Sequence, residues 1–385
     1  MDTITPPPAC PAHRRLPLDG TPLAPSPRFA QWRSEAPATP FHYPDGHDGW
    51  IVTDHALAQT VLAHPEFSQL PHRMTTPWPD APADPLDERG EAAMRAANLL
   101  ALDEPDHVRL RRHITSRFSV RSVRSRTEEI AAIVAAAAAR LRALGSPADV
   151  FEHFARPISV AVHALVLGIP DHRIDDFDRL FADPSTSQEK ADFVRAVLDE
   201  RRGDPGEDVV SDLLSSELTD AEIEGLVMVL MTSGRDSVAY MISTLTVALL
   251  TNPDQLDAVR RDATLVPGAV EEIMRFGAMF VTLFPRTAVR DLELDGLAVR
   301  AGQTVSVSAA AANRDPARFD EPDRFDVQRD SFGHLGFGHG SHGCVGQQLA
   351  RREVAEAIGA LVTGFPGLRL VSAEQIAPMP FAHPV

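Results

Sequence analysis

The stretch GFGHGSHGC at residues 336–344 combines residue types that could do chemistry in three ways. Its glycines between 338 and 343 follow the G-x-G-x-x-G spacing of a dinucleotide-binding loop. Its two histidines, with His334 just upstream, could join Cys344 in ligating a metal ion. Cys344 is also one of only two cysteines in the chain, so the stretch could instead present a single thiolate.

The surrounding sequence argues against the first two alternatives. A dinucleotide loop needs a strand directly before its glycines inside a βαβ unit, whereas the polar stretch RFDVQRDSFGHL precedes them here. A zinc site needs paired ligand spacing, which these histidines and Cys344 lack. Two alternatives remain open at this point: a glycine-rich turn with an ordinary buried cysteine, and a loop that offers one thiolate to haem iron.

Several features of the loop favour iron ligation by Cys344. Glycines let backbone N–H groups point at the sulfur, and such bonds tune a thiolate ligand. A helix predicted to begin at Val345 turns its positive end toward Cys344, which lowers the thiol pKa. Gly346 would let the first helical turn approach a flat macrocycle, and Phe337 could lie against that macrocycle and exclude water.

Residues 337–346, FGHGSHGCVG, resemble F-G-x-G-x-H-x-C-x-G, the haem-binding loop of the cytochromes P450. The resemblance extends over roughly residues 30–370 and implies that Cys344 ligates the iron of haem b, iron protoporphyrin IX. It also implies a mainly α fold with small β-sheets in a single domain. We therefore expect a proline-rich tail over residues 1–28 and one haem-thiolate domain over residues 29–385.

Glu272-Ile-Met-Arg275 resembles the E-x-x-R of the same family, about 70 residues before the cysteine. The two charges lie one helical turn apart and can pair when buried. Taken alone, an exposed ion pair would be the commoner arrangement. The resemblance implies a structural role, with an arginine from the loop before the cysteine joining the pair, and Arg324 fits that position.

The resemblance also implies partners for the haem propionates. His107 and Arg111, in DEPDHVRLRR, match the family's H-x-x-x-R, and Arg286 and His342 fit as further partners. The guanidinium group suits carboxylates because its N–H donors form a planar fork. Taken singly, each of these residues could be a surface arginine or a capping histidine.

The apolar segment at 219–251 predicts one helix of about 30 residues, long enough to cross a domain. Within it, Ser233-Gly234-Arg235-Asp236-Ser237 resembles [AG]-G-x-[DE]-T of the P450 helix that activates oxygen. The resemblance implies that Gly234 opens a groove for O₂ and that Asp236 relays protons. Ser237 stands where threonine is usual, and it keeps a hydroxyl but loses the β-branch that fixes its rotamer.

The serine motivates a hypothesis about the reaction, because radical coupling of aromatic substrates needs less proton delivery than oxygen insertion. FSQLPHRM and MTSGRDSVAYM resemble an actinobacterial subgroup that joins tryptophan-containing cyclodipeptides (diketopiperazines) by C–C or C–N bonds. The alternatives are ordinary hydroxylation or epoxidation of a macrolide, terpene or other natural product, and a non-catalytic haem-binding protein. Cys344, Asp236 and Ser237 favour the enzyme.

The pocket implied by the resemblance is mostly apolar, so we expect a bulky hydrophobic or aromatic substrate. Residues 171–206 look short for the two helices that roof the pocket in the family. The expected lining positions are Gln69, the loop at 71–95, Leu230, Ser233, Met279, Leu283, Phe284 and Phe381.

The net charge of −17 argues against nucleic acid or an anionic membrane as the main partner. Two cysteines and the lack of a long apolar run suggest a cytoplasmic monomer. Electrons should come from a separate ferredoxin and ferredoxin reductase, because the chain contains no fused redox module. A docking patch for the ferredoxin could include Arg109, Arg112, Arg117, Arg351 and Arg352.

Overall fold

The computed structural model describes residues 16–43, 46–70, 84–182, 185–277 and 279–371. Helices dominate these ranges, as predicted. Their bounds are α1 Pro27–Glu35, α2 His55–Ala63, α3 Glu88–Ala97, α4 Asp106–Thr115, α5 Val120–Ser125, α6 Thr127–Leu144, α7 Arg156–Leu167, α8 Ile174–Leu180, α9 Ser187–Gly203, α10 Val209–Leu214, α11 Asp220–Thr232, α12 Arg235–Thr251, α13 Pro253–Arg261, α14 Val266–Phe276, α15 Ala309–Ala312 and α16 Gln347–Gly364.

Helix α12 lies at the centre of the main hydrophobic core and packs against α7, α14 and α16. Its residues are apolar on nearly every side, and Ala239, Ile242 and Leu245 are completely buried. A helix that is apolar all round can only be stable when other elements cover every face. Helices α7, α14 and α16 are thus packed around one shared element.

Short strands form two small sheets beside the helices. The strands are β1 Ala38–His42, β2 Asp48–Val52, β3 Phe67–Ser68, β4 Arg286–Ala288, β5 Leu292–Leu294, β6 Leu297–Val299 and β7 Thr304–Val307. The larger sheet has the order β1-β2-β7-β4-β3, in which only the β2–β7 pair is parallel among the described strands, and the smaller is the β5–β6 hairpin. At the turn of this hairpin, Asp295 has a φ of 48° and Gly296 a φ of 85°, as type I′ turns require.

The prediction of one uninterrupted helix over 219–251 is wrong. The chain forms α11 and α12 instead, and between them Ser233 is extended while Gly234 has a φ of 99°. Glycine tolerates this left-handed conformation because it has no Cβ. Apolar spacing could not reveal the interruption, since both halves carry the same pattern.

The C-terminal part of the predicted tail lies on the folded body. Leu16 is buried in a small core with Phe29, Trp32 and Tyr43, and α1 begins at Pro27. Residues 1–15 lie outside the described residues, so the domain boundary at 28 stays a prediction. No helix in the described part of the chain is both long and apolar enough to cross a membrane.

Candidate active site

The loop before α16 is shaped by glycines in conformations that other residues rarely adopt. Gly338 and Gly340 have φ values of 71° and 75°. A Cβ on Gly340 would lie 2.7 Å from the carbonyl oxygen of Leu62 at the end of α2, so only glycine fits there. The loop closes when the Cys344 N–H donates to the Phe337 carbonyl at 2.8 Å. The backbone thereby fixes the position of Cys344.

The side chain of Cys344 is accessible, and the backbone N–H groups of Gly346 and Gln347 bond to its sulfur. These N–H groups, together with Arg111 and Arg351, favour the thiolate. Desolvation by the surrounding protein nevertheless outweighs them and raises the thiol pKa. The lowering of the thiol pKa expected from the helix end is therefore present but outweighed by desolvation, and α16 begins at Gln347 rather than at 345.

A carboxylate from α14 fixes both ends of this loop. Glu271 accepts from His334 at 3.0 Å and pairs with Arg351 of α16 at 2.5 Å. Burial alone would raise the pKa of Glu271, but these two partners hold it at about 2. The Arg351 guanidinium also lies 4.4 Å from the centre of the Phe337 ring. His334 is thus part of the scaffold, and the described residues contain no cluster of three or more potential metal ligands.

The Glu272–Arg275 pair is completely buried on α14, with Arg275 Nε 2.8 Å from Glu272 Oε2. The prediction that Arg324 is the third member of this cluster is wrong. Its side chain is 56% exposed and pairs with Glu321, and only its carbonyl oxygen reaches Arg275. Arg329 joins the pair instead, with Nε 3.3 Å from Glu272 Oε1.

Four cationic or potentially cationic side chains cluster next to Cys344. The rings of His107 and His342 lie 3.9 Å apart at their centres, and Arg111 Nη2 donates to the Gly343 carbonyl at 2.5 Å. Burial lowers the pKa of His342 to about 3 and that of Arg286 to about 10. Burial and the charge of Arg111 also lower the pKa of His107.

These groups have more hydrogen-bonding capacity than the protein satisfies. Both ring nitrogens of His107 are buried without a hydrogen-bond partner, and the nearest carboxylate oxygen, on Glu104, is 3.6 Å from Nδ1. Buried polar atoms of this kind require an explanation. An accessible thiol beside buried donors suited to carboxylates fits a haem group with its two propionates.

At the break between α11 and α12, Asp236 is in the first turn of α12. Its Oδ1 lies 2.7 Å from Arg235 Nη2, while Arg235 also reaches Asp178 at 2.8 Å. Burial raises the pKa of Asp236 although Arg235 opposes the shift. The Ser237 hydroxyl donates to the Gly234 carbonyl at 3.0 Å, the local bond expected of a serine early in a helix.

The family model described as Cytochrome P450 matches residues 171–368. The chain belongs to the cytochrome P450 family. It is 37% identical to the cytochrome P450 monooxygenase PikC of Streptomyces venezuelae over 90% of this chain and 85% of PikC. It is 34% identical to the mycinamicin IV hydroxylase/epoxidase of Micromonospora griseorubida over 89% and 88% of the two chains. A crystal structure of a CYP105P1 mutant superposes with a TM-score of 0.85 at 31% identity over 95% of both chains.

Membership of this family makes the protein a P450 oxidoreductase, and the family binds haem through a cysteine thiolate. The mainly helical fold with small sheets, expected from the resemblance, is confirmed.

The structure brings only some of the predicted pocket positions together. Met279 and Leu283 line one small cavity that reaches Leu335 and Gly336 at the start of the haem loop. Leu230 and Gln69 are buried, and the amide nitrogen of the Gln69 side chain has no hydrogen-bond partner. Two positions differ from the prediction: Ser233 is in the helix break, and Phe284 is 48% exposed. The predicted loop at 71–95 is helical from Glu88 onward, in α3. Phe381 and residues 71–83 lie outside the described residues, so their place in the pocket stays a prediction.

The proposed docking arginines are all paired with carboxylates of the same chain. Part of the charge of each guanidinium is therefore neutralised by a carboxylate of this chain. These arginines would attract a docking ferredoxin less strongly than unpaired arginines. The pairs are Arg109–Glu222, Arg112–Glu217, Arg117–Asp212, Arg351–Glu271 and Arg352–Glu356.

Sequence reasoning missed the side chains that support the site from a distance. Arg329 is in the same loop as Arg324, and spacing alone does not tell which of the two turns inward. Ser159 and His163 on α7 bond carbonyl groups on either side of the helix break. In the sequence, only their spacing of four residues on a mostly apolar helix indicated that these two polar side chains share one face.

Proposed function

We propose that this P450 is a haem b monooxygenase in which Cys344 ligates the iron. The observation that carries the proposal is the accessible thiol near His107, whose two buried ring nitrogens lack hydrogen-bond partners. His107, Arg111, Arg286 and His342 would hold the propionates, because imidazole and guanidinium groups bind carboxylates strongly when buried. The proposal is supported by the proximity of the four groups, since His107, Arg111 and Arg286 all lie close enough to His342 to lower its pKa.

Haem bound there would supply the activation of O₂ with two electrons. The chain's own residues would control the surroundings of that reaction. Phe337, held by Arg351, keeps water from the sulfur. Asp236 has a raised pKa, so its carboxyl group can hold and release a proton near neutral pH more readily than an ordinary aspartate. Ser237 would pass that proton on.

The substrate is proposed to be a bulky apolar or aromatic molecule of bacterial secondary metabolism. The apolar residues Leu230 and Met279, which are buried, and Leu283, which is half-buried, support this class. A relative that hydroxylates or epoxidises mycinamicin IV supports oxygen insertion into a natural product. We propose a ferredoxin and its reductase as the electron source, as is typical of the bacterial members of the family.

A second candidate reaction is the oxidative coupling of two tryptophan-containing diketopiperazines. The observation that favours it is the bond from the Ser237 hydroxyl to the Gly234 carbonyl, which occupies the hydroxyl proton. Coupling removes one hydrogen atom from each of two substrate molecules. Together with two electrons and two protons from outside, these hydrogens reduce O₂ to two waters, and no oxygen enters the product.

The experiment is a binding screen of the holoenzyme, followed by turnover under ¹⁸O₂. Macrolides, terpenes and indole-bearing cyclodipeptides would each be scored by the shift of the Soret band, and products by mass. A product heavier by one ¹⁸O atom supports monooxygenation, whereas a dimer without the label supports coupling. If the holoenzyme accepts electrons but converts none of the compounds, and none of them shifts its Soret band, both candidate reactions are contradicted. A non-catalytic haem protein would then be favoured.

A further inference from the structure

The break between α11 and α12 leaves backbone carbonyl groups without their helical partners. In a continuous helix, the carbonyl of Leu230 would accept from the N–H of Gly234, four residues later. Ser233 is extended, with ψ 142°, and Gly234 has a φ of 99°, so the chain leaves the helical path at this point. A buried carbonyl that loses its partner costs free energy unless another donor replaces the N–H.

An imidazole from α7 supplies that donor. His163 Nε2 lies 2.8 Å from the carbonyl oxygen of Leu230. A carbonyl can only accept, so the proton of the neutral ring must be on Nε2, which leaves Nδ1 bare. Desolvation lowers the pKa of His163 to about 4, and the nearby charge of Arg235 acts in the same direction. The ring is therefore neutral at physiological pH.

The shape of the break matches this ring. A Cβ added to Gly234 would lie 2.9 Å from Cε1 of His163 and 3.2 Å from its Nδ1. The imidazole thus fills the space that a side chain at residue 234 would need. One turn earlier on α7, the Ser159 hydroxyl donates to the Arg235 carbonyl at 2.5 Å, on the other side of the break.

The same ring also connects the break to the aromatic side chains of α8 and α9. His163 stacks on Phe177 with ring centres 5.8 Å apart and planes 10° apart. Phe177 in turn contacts Phe181 and Phe193. Arg235, the first residue of α12, donates to the Phe181 carbonyl at 2.6 Å. The break is therefore held by α7, through His163 and Ser159, and by the end of α8, through Phe181.

We propose that His163 is a positioning residue that holds the helix break open by replacing the missing N–H donor at Leu230 and occupying the space opposite Gly234. Through the break, it fixes the first turn of α12, where Asp236 and Ser237 lie. The inference concerns the geometry of the backbone. Its effect on proton handling rests on the function proposed above.

The test compares three holoenzymes by hydrogen exchange of the peptide covering residues 228–240. His163→Leu keeps the volume but removes the donor, and exchange in this peptide should rise roughly tenfold, as expected for one buried hydrogen bond. His163→Gln restores an N–H donor and should return exchange to within about threefold of wild type. In His163→Leu, a larger share of the electrons consumed should also appear as hydrogen peroxide.

His55→Leu is the matched control. His55 Nε2 also bonds a backbone carbonyl, that of Gly333, at 2.9 Å, and its ring also contacts a phenylalanine. Its loss should leave exchange at 228–240 unchanged. Unchanged exchange in His163→Leu, or a glutamine variant as perturbed as the leucine variant, would overturn the proposal.

A second measurement needs no variant. The ¹⁵N shifts of His163 in wild-type protein should show Nε2 protonated and Nδ1 bare at pH 7, and a cationic ring or the opposite tautomer would overturn the proposal. Both readouts are independent of turnover. If they agree with the proposal while no substrate is oxidised, the proposed function fails and the positioning role stands. If they disagree while product forms, only the positioning role fails.

Discussion

The loop that carries Cys344 and the break between α11 and α12 both have irregular backbone, but different groups stabilise it. In the loop, Gly338 and Gly340 adopt positive φ within nine residues of the cysteine, and Glu271 of α14 holds the flanking segments. In the break, one glycine turns the chain, but the bonds that stabilise it come from His163 and Ser159 on α7, more than 60 residues away. Both sites depend on a distant helix, but they differ in the groups that it supplies: α14 gives the loop a charged carboxylate, whereas α7 gives the break a neutral imidazole and a hydroxyl.

This difference predicts where substitutions should act. Changes in the ionic groups of α14 should affect the stability of the whole protein, because the Glu272–Arg275 pair is completely buried. Changes in the bonds from α7 to the break should affect stability less and proton handling more, because these hydrogen bonds are neutral.

Glu272→Gln should destabilise the protein by about 3–5 kcal/mol, because it leaves Arg275 charged and buried without its partner. Urea denaturation of the holoenzyme measures the change. Arg329→Gln should also lower the denaturation midpoint, whereas Arg324→Gln should leave it unchanged, since the Arg324 side chain is 56% exposed. Equal effects of the two arginine variants would contradict the assignment of Arg329 as the third member of the cluster.

Gly234→Ala should destabilise the protein by about 1–3 kcal/mol, because alanine is strained at positive φ and its Cβ would collide with the His163 ring. Thermal or chemical melts provide the measurement. The matched control is Gly359→Ala in the interior of α16, where an added Cβ meets nothing within 4 Å. That change should stabilise by about 0.5–1 kcal/mol, so the two glycines should give opposite signs.

Asp236→Asn should raise the melting temperature slightly at pH 7. It should also lower the fraction of the consumed electrons that is used to form product. The folded protein raises the pKa of Asp236 above the unfolded value of about 3.9. This group's contribution to stability is therefore full below that pH and is lost as the pH rises toward the folded pKa. The advantage of asparagine should be present at pH 7 and absent near pH 3.5.

Asp178→Asn provides the control for that prediction. Asp178 is as exposed as Asp236 and pairs with the same Arg235, but it also pairs with Arg156. Its removal should lower the melting temperature at pH 7. A gain in Asp178→Asn, or a loss in Asp236→Asn, would mean that burial does not dominate the environment of Asp236.

The mainly helical fold and the pairing of Glu272 with Arg275 could be predicted from the sequence, because helical spacing is a local signal. The burial of this pair followed only from its resemblance to the family's E-x-x-R, since spacing alone favours an exposed ion pair. The sequence was insufficient for the choice between Arg324 and Arg329, because the turn between them decides which side chain points inward. It was also insufficient for the break at Gly234, where His163 and Ser159 contribute from another helix.

The central claim is that the thiolate of Cys344 ligates haem iron, and the carbon monoxide spectrum of the reduced holoenzyme tests it most directly. Wild type and Cys10→Ser should both show the red-shifted Soret band of a thiolate-bound haem. Cys344→His should lose that band, even if it retains haem, because a nitrogen ligand cannot supply thiolate electron density. A Cys344→His protein that keeps the thiolate-type band, or a wild-type holoenzyme that lacks it, would contradict the account.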